Sequence, residues 1–391
     1  MKVLLLETLG ADYGAYFLTR GFAKLLGAEN VRMWPYKRTN EGQPDSYPER
    51  YFNGRSLRVV GGQVVYTEPY SGSELWADPA LWRFWKPEKN LPSARLPNDM
   101  PVRHATPIGI PESSDEEIFA MLGRREFNLI VLNACRWHGS AALHELRAVF
   151  GQHLPPVVIA DHDDYTQRRW DFADVFKPVA YFKRSMLVGG HRSEFDMGQR
   201  DYPVRPMPFS SMWEIDWVPW EEREVDVFCV FGATQVMRRR FKDVTLEVMQ
   251  KFPDKRVMAA VGHPMGHAEY LKMLSKAKIV VDQQSFGTDT LRFWEASSAG
   301  ACLLSDFNLC TPPEEVKPGT HYYKFDNDLS PNGDQQNFVA FRRELERAVT
   351  DDAETHARAR RLYDAVRRDH TNAARAAYVI SETEKILGRK L

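Results

Sequence analysis

The stretch that decides the fold is "SFGTDTLRFWEASSAGACLLSD", Ser285 to Asp306. It joins a glycine turn to Thr288, Asp289 and Thr290, residues suited to cap a helix, then to a short apolar helix, a small-residue break and an apolar run ending in aspartate. The spacing predicts a helix over 289–298 and a strand over 301–305, with Glu295 on the face it shares with Leu291 and Ser298. A lone carboxylate on an otherwise apolar helix needs a partner. Arg292, three residues back, offers a surface ion pair. The hydroxyl pair of a ligand ribose offers the alternative.

Outward from this stretch, short apolar runs alternate with helical patterns, the signature of mainly parallel sheets covered by helices. Upstream lie "VDVFCVFGAT" (225–234), a basic helical segment from 236, "RVMAAVG" (256–262), "AEYLKMLSKA" (268–277) and "KIVVDQQ" (278–284). The first half repeats the rhythm in "KVLLLE" (2–7), "FNLIVLNA" (127–134), "PVVIADHDD" (156–164) and "PVAYFKRS" (178–185). Residues 35–110 interrupt it with Pro, Gly, Tyr and Trp and read as an insertion of loops and hairpins, one turning at Gly61-Gly62. Prolines at 203, 206, 208 and 219 forbid a long helix and mark an extended crossover. The expected organisation is an α/β chain in two units. Residues 1–205 form the first, 206–224 the linker, and 225–391 the second, with a helical tail from about 338.

With 52 basic and 53 acidic residues among 391, the net charge of -1 supplies no general field for a polyanion. Cys135, Cys229, Cys302 and Cys310 form no metal-like spacing and suit reduced, buried thiols. The opening "MKVLLLETLGAD" is too short in apolar residues for a signal peptide, and no segment reaches a membrane span. A cytoplasmic protein, or one peripheral at a membrane, is expected.

Ligands of open α/β sheets bind beyond the carboxyl ends of strands. In "FGATQVMRRRFK" (231–242), Gly232 permits close backbone approach, and Arg238, Arg239, Arg240 and Lys242 follow at a helix start. That arrangement suits a diphosphate, although arginines on a helix also suit a solvated face. In "IADHDDY" (159–165), Asp161 ends a strand and is the candidate base near an acceptor, whereas Asp163 and Asp164 suit turns. His191 follows a glycine pair, His138 follows a strand, and His263 and His267 flank glycines where a nucleotide base could be met.

The run 270–329, with "VDVFCVFGATQVMRRR" (225–240) and "HTNAARAAYVI" (370–380), resembles the donor-binding half of GT-B fold glycosyltransferases of the spore-maturation-type, family-4-like group. The resemblance rests on Gly287, Arg292, Glu295, Ala299-Gly300, Asp306, Pro318-Gly319, Tyr322 or Tyr323, and Asn327-Asp328-Leu329, in that order. It implies two Rossmann-like domains facing a cleft, with a nucleotide-sugar held mainly by the second. Glu295 would bind the ribose, and Gly287, Thr288, Asp289 and Thr290 would face the diphosphate or sugar. Gly232, Arg238, Arg239, Lys242 and Arg292 would complete the charged end of the donor site, and His263 would meet the base. A first-domain histidine near the donor sugar is a family feature for which His191 is a candidate and His138 an equal rival. Many members carry a glutamate where this chain has Gly287, which leaves Asp289 as the nearest acid to the sugar.

The expected function is transfer of a sugar from a UDP- or GDP-linked donor, with no tightly bound cofactor and no metal. Saccharide, lipid-linked saccharide, protein and modified DNA remain open as acceptors. A sugar-nucleotide epimerase or hydrolase of the same fold, or a non-catalytic nucleotide-sugar-binding scaffold, are the rival readings.

Overall fold

The computed structural model describes residues 1–6, 13–34, 55–60, 63–69, 109–111, 113–134, 139–162, 173, 177–186, 202–211, 215–231, 236–262, 267–284, 289–307, 311–313, 315–325 and 338–391. Two sheets organise them. The first has the strand order β2-β1-β5-β6-β7-β8. Its members are Val3–Leu6 (β1), Val31–Trp34 (β2), Leu129–Ala134 (β5), Val157–Asp161 (β6), Ala180–Lys183 (β7) and Val204–Pro206 (β8). Arg55–Val60 (β3) and Gln63–Pro69 (β4) pair antiparallel, and Gly61-Gly62 between them lie outside the described residues. The rest of 35–108 lies outside the described residues.

The second sheet runs β10-β9-β11-β12-β13. It comprises Val225–Phe231 (β9), Val257–Val261 (β10), Ala277–Asp282 (β11), Cys302–Ser305 (β12) and Tyr323–Lys324 (β13). All pairings in both sheets are parallel; Val227, for example, lies between Val257 and Ile279. Strands covered on both faces must be apolar throughout, which is why Val3–Leu6 is buried at every position. In each sheet the chain fills one side and then crosses to the other. The switch points fall between β1 and β5, and between β9 and β11.

Helices Tyr13–Leu26 (α1), Asp115–Gly123 (α2) and Gly139–Phe150 (α3) belong to the first half. Helix α2, capped by Ser114 through the Glu117 amide, was not anticipated. Helices Val236–Met249 (α4), His267–Ser275 (α5) and Leu291–Ser298 (α6) alternate with the second sheet's strands. Val339–Thr350 (α7), Asp352–Asp369 (α8) and Asn372–Leu387 (α9) form the tail. Phe341, Leu345 and Val349 are buried at the spacing the sequence shows. The first two tail helices stay with the second sheet, and the last does not. Helix α9 packs along α1 and inserts Ala376 and Val379 among Val3, Leu5 and Phe22 of the first core. Gly21 allows this approach, because a Cβ there would meet the Asn372 carbonyl oxygen at 2.1 Å. Residues 372–387, grouped with the second unit on sequence, thus complete the first.

The proline-rich linker begins as a strand. Val204–Pro206 takes the edge of the first sheet, where a proline's missing N–H does no harm. At its far end Arg223 is buried, and its guanidinium donates to Val218 O, Ala277 O (2.6 Å) and Ala299 O (3.3 Å). Trp217 and Trp220 lie over it at 4.9 and 5.4 Å. The small-residue break after α6 follows from this packing. Gly300 has φ +76°, and a Cβ there would meet the Trp217 ring at 2.7 Å and Arg223 Nη2 at 2.8 Å. Gly300→Ala should therefore destabilise the fold by about 2–3 kcal/mol through left-handed strain and overpacking. Urea unfolding monitored by circular dichroism reads this directly; a change near zero would mean that the crossover does not constrain this position.

Candidate functional site

The second switch point carries a dense polar cluster. Phe231 ends β9 with its ring fully buried, and two arginines lie against it: Arg292 of α6 at 4.5 Å and Arg238 of α4 at 5.8 Å. Arg292 Nε donates to Tyr270 Oη of α5 at 3.0 Å. Below them, Asp282 ends β11. Its Oδ1 accepts from Thr290 Oγ1 and its Oδ2 from Ser305 Oγ, both at 2.8 Å. Asp306 follows β12 and accepts the Gln284 amide at 2.9 Å. Glu295, buried on α6, is close enough to contribute to the electrostatics of Tyr270.

Sequence explains why α6 starts where it does. Thr290 is extended, and its hydroxyl accepts the Phe293 amide at 3.2 Å, a side-chain cap that satisfies one orphan donor of the first turn. The same hydroxyl donates to Asp282, so the cap also pins the helix to the sheet. Glu295 lies further along the same helix and is buried, as are Phe293, Trp294 and Ala296.

Burial sets the protonation of this cluster. It raises Asp282, against the pull of Arg292, and raises Asp306 well above the ordinary carboxylate value, with Asp282's charge adding to the effect. It lowers Arg238 to about 10, helped by the like charge of Arg292. Arg292 is raised overall: burial opposes its charge, but Tyr270 and Asp282 outweigh that. Cys229 and Cys302 are buried and pushed up to about 12, the inert thiols expected. Cys135 and Cys310 lie outside the described residues.

The structure brings Thr290, Arg292 and Arg238 together, with Glu295 near Tyr270, and adds Asp282 and Tyr270, which sequence reasoning did not select. Asp282 stood in plain view in "KIVVDQQ", at the end of a strand beside a switch point; that placement was the signal. Lys242, one turn from Arg238, is half-buried and pairs with Asp243 at 2.9 Å. Arg239 and Arg240 face solvent, because helix positions between Arg238 and Lys242 turn away from the sheet. Asp289 departs from expectation. Its Oδ2 accepts the Phe209 amide at 2.5 Å and its Oδ1 accepts Trp294 Nε1 at 2.9 Å, so both oxygens are engaged within the protein, one of them by the crossover.

Asp161 also differs from the cleft-facing base expected. It ends β6, but it is fully buried, with Lys183 Nζ at 2.9 Å and the Tyr181 hydroxyl donating to the same oxygen. Its neighbour His162 is buried against Asn133 Oδ1 at 3.3 Å. Gly232, His263, Gly287, Thr288, His191, His138, Asp163 and Asp164 lie outside the described residues.

Comparison with known proteins bears on the half that carries the polar cluster. Residues 219–381 match the glycosyl transferase-like family. Among solved structures, sucrose-phosphate synthase from Thermosynechococcus elongatus superposes with a TM-score of 0.54 at 14% identity, over 99% of each chain. An alpha-glucosyltransferase in complex with UDP and a 13-mer DNA containing a HMU base gives 0.49 at 11% identity over 100% of each. The GtfA/B complex gives 0.48 at 10%, covering 69% of this chain and 60% of that one. A search of curated proteins found no match. The fold is GT-B, with two parallel sheets covered by helices. Among the described residues no helix is long and apolar enough to cross a membrane.

Two outcomes follow for stability. For a carboxyl raised on folding, the stabilising contribution is full below its unfolded value and is lost as pH rises through the folded value. Asp306→Asn, which keeps an acceptor for the Gln284 amide, should raise the melting temperature at pH 7.5 and give no gain near pH 4. A gain that is equal at both pH values would contradict the buried-charge origin. Lys183→Met should destabilise by about 3–5 kcal/mol, because it removes the cation facing buried Asp161. Chemical denaturation measures it, and a loss under about 1 kcal/mol would show that the pair is dispensable.

Proposed function

We propose that the protein is a nucleotide-sugar-dependent glycosyltransferase of the spore-maturation-type, family-4-like kind, with a UDP- or GDP-linked donor. The observation that supports this reading is the pair Arg238 and Arg292 against Phe231 at the end of β9, beside the switch point where ligands bind in open α/β sheets, with Glu295 buried on the same helix as Arg292. Glu295 accepts the two ribose hydroxyls, a role that a carboxylate fills with both oxygens. Arg238, Arg292 and the amino end of α6 face the diphosphate.

Transfer breaks the bond between the sugar's anomeric carbon and the diphosphate oxygen and forms one from that carbon to an acceptor hydroxyl, whose proton leaves to a base. Negative charge grows on the departing diphosphate. Fixed cations and helix N–H groups stabilise it without rearrangement at the moment of reaction, which lowers the barrier. The acceptor is a hydroxyl-bearing molecule, saccharide, lipid-linked saccharide, protein or modified DNA, approaching from the first unit.

A thermal-shift panel of UDP, GDP, ADP, CDP and dTDP tests the reading. One nucleotide at about 100 times its dissociation constant should stabilise the protein by roughly 2.7 kcal/mol. Glu295→Ala should abolish that shift while leaving the unliganded melting curve in place. Arg238→Ala should weaken the diphosphate by about 10- to 100-fold and the nucleoside far less, since only a charged hydrogen-bond partner is lost. Silence across the panel, or wild-type affinity in Glu295→Ala, would overturn the assignment.

A further inference from the structure

A second concave site lies at the amino ends of the first sheet's strands. A pocket of about 230 Å³ sits beside the starts of β5 and β6, with Phe127, Pro155 and Pro156 among its apolar lining and Arg125, His153 and Arg389 among its polar lining. Arg125 follows α2 and His153 follows α3, both of the first half, whereas Arg389 follows α9, the tail helix that returns to this sheet. The charges of this lining are unanswered. Arg125 Nη2 donates to His153 Nδ1 at 3.3 Å and Arg389 Nη1 to the Lys390 carbonyl at 3.4 Å; among the described residues no carboxylate pairs with either arginine. The neighbouring acids are engaged elsewhere: Glu126 by Lys2 and Arg124, both at 2.6 Å, and Glu384 by Lys390 at 2.8 Å. An arginine can only donate, so His153 Nδ1 accepts and the ring's hydrogen sits on Nε2, a further donor. The backbone of Arg125 is a separate observation. Its φ is +57°. The amides of Arg125 and Glu126 donate to Leu122 O and Met121 O, both at 3.0 Å, which closes α2 in the paired pattern of a Schellman end. Glycine is the usual residue at that left-handed position, and a side chain there carries strain. In this chain the position holds an arginine that lines the pocket.

We propose that this pocket binds a small phosphate monoester between Arg125, Arg389 and His153, and that the bound anion fastens the end of the tail to the first sheet. Two guanidinium groups and an imidazole N–H are the donors that a phosphate's oxygens take. Empty, the pocket holds two like charges from separate parts of the chain, which repel; an anion between them turns that repulsion into two attractions. Phe127, Pro155 and Pro156 receive the body of the ester. That body is small, since the cavity is below the roughly 300–1,000 Å³ of drug-sized sites. The polar cluster beside β9 and β11 belongs to the other sheet, so this site stands whether or not the donor reading does.

Titration calorimetry of the full chain with phenyl phosphate at neutral pH and fixed ionic strength tests this, with inorganic phosphate as the second probe. The wild type should bind phenyl phosphate ~10-fold more tightly than inorganic phosphate, because the ring covers the apolar lining. Arg125→Gly is the decisive variant. It removes the guanidinium and gives the left-handed position its ordinary residue, so the unliganded melting temperature should hold or rise while affinity falls by about 10-fold or more. Arg389→Gln should weaken binding to a similar extent, and Arg238→Ala should leave it unchanged. Hydrogen exchange over 384–391 should slow with phenyl phosphate in the wild type and not in Arg125→Gly. Absence of binding, or wild-type affinity in Arg125→Gly, would overturn the site. Binding lost in Arg238→Ala would place the phosphate in the polar cluster and overturn it too. Arginine variants that melt well below the wild type without ligand would show that the pair braces the fold instead. Binding with unchanged exchange over 384–391 would overturn the fastening of the tail.

Discussion

The hydroxyl of Thr290 is the joint on which the second half depends. It takes the Phe293 amide and gives its proton to Asp282, so one side chain both starts α6 and fixes it to the end of β11. With that start fixed, the helical period decides the rest: Arg292 reaches Tyr270 and Phe231, Glu295 falls one turn later on the enclosed side, and Asp289 is left to face the crossover. Ser305 completes the anchor from β12 by donating to the other oxygen of Asp282. Three neighbouring elements thus converge on one buried carboxylate.

Such a cluster is a poor way to stabilise a fold and a good way to hold a charged ligand. Asp282 and Asp306 are both raised by burial, and Arg238 is lowered by it, so each would be less strained in water. Apolar side chains of similar volume would pack here at lower cost. Perturbed ionisable groups collected beside a switch point are what a site preorganised for charge requires. The buried Asp161–Lys183 pair in the first sheet is different. It is a closed unit, with Tyr181 satisfying the same carboxylate, and it braces the ends of β6 and β7.

Much of the fold was legible because parallel strands covered on both faces must be unbroken apolar runs. "KVLLLE", "FNLIVLNA" and "VDVFCVF" have no other economical place to go. The start of α6 was legible too, since threonine before an apolar helical pattern is a cap. What sequence could not supply was direction. Nothing in "TDTLRFWE" says that Asp289 turns to a backbone amide some eighty positions away, or that Asp161 faces a lysine from the next strand and not the cleft. The return of α9 to the first core was hidden for a related reason. An amphipathic helix states that it has a buried face, not which sheet covers it. Gly21 and Gly300, in turn, are explained only by the chains that press against them.

The central claim is that the β9–β11 switch point holds a nucleotide diphosphate. A crystal structure of the protein with UDP, or with whichever nucleotide stabilises it most, tests that claim most directly. The predicted result places the diphosphate beside Arg238 and Arg292, with both ribose hydroxyls on Glu295. A nucleotide bound elsewhere, or Glu295 turned onto Arg292 with the cluster undisturbed, would contradict it.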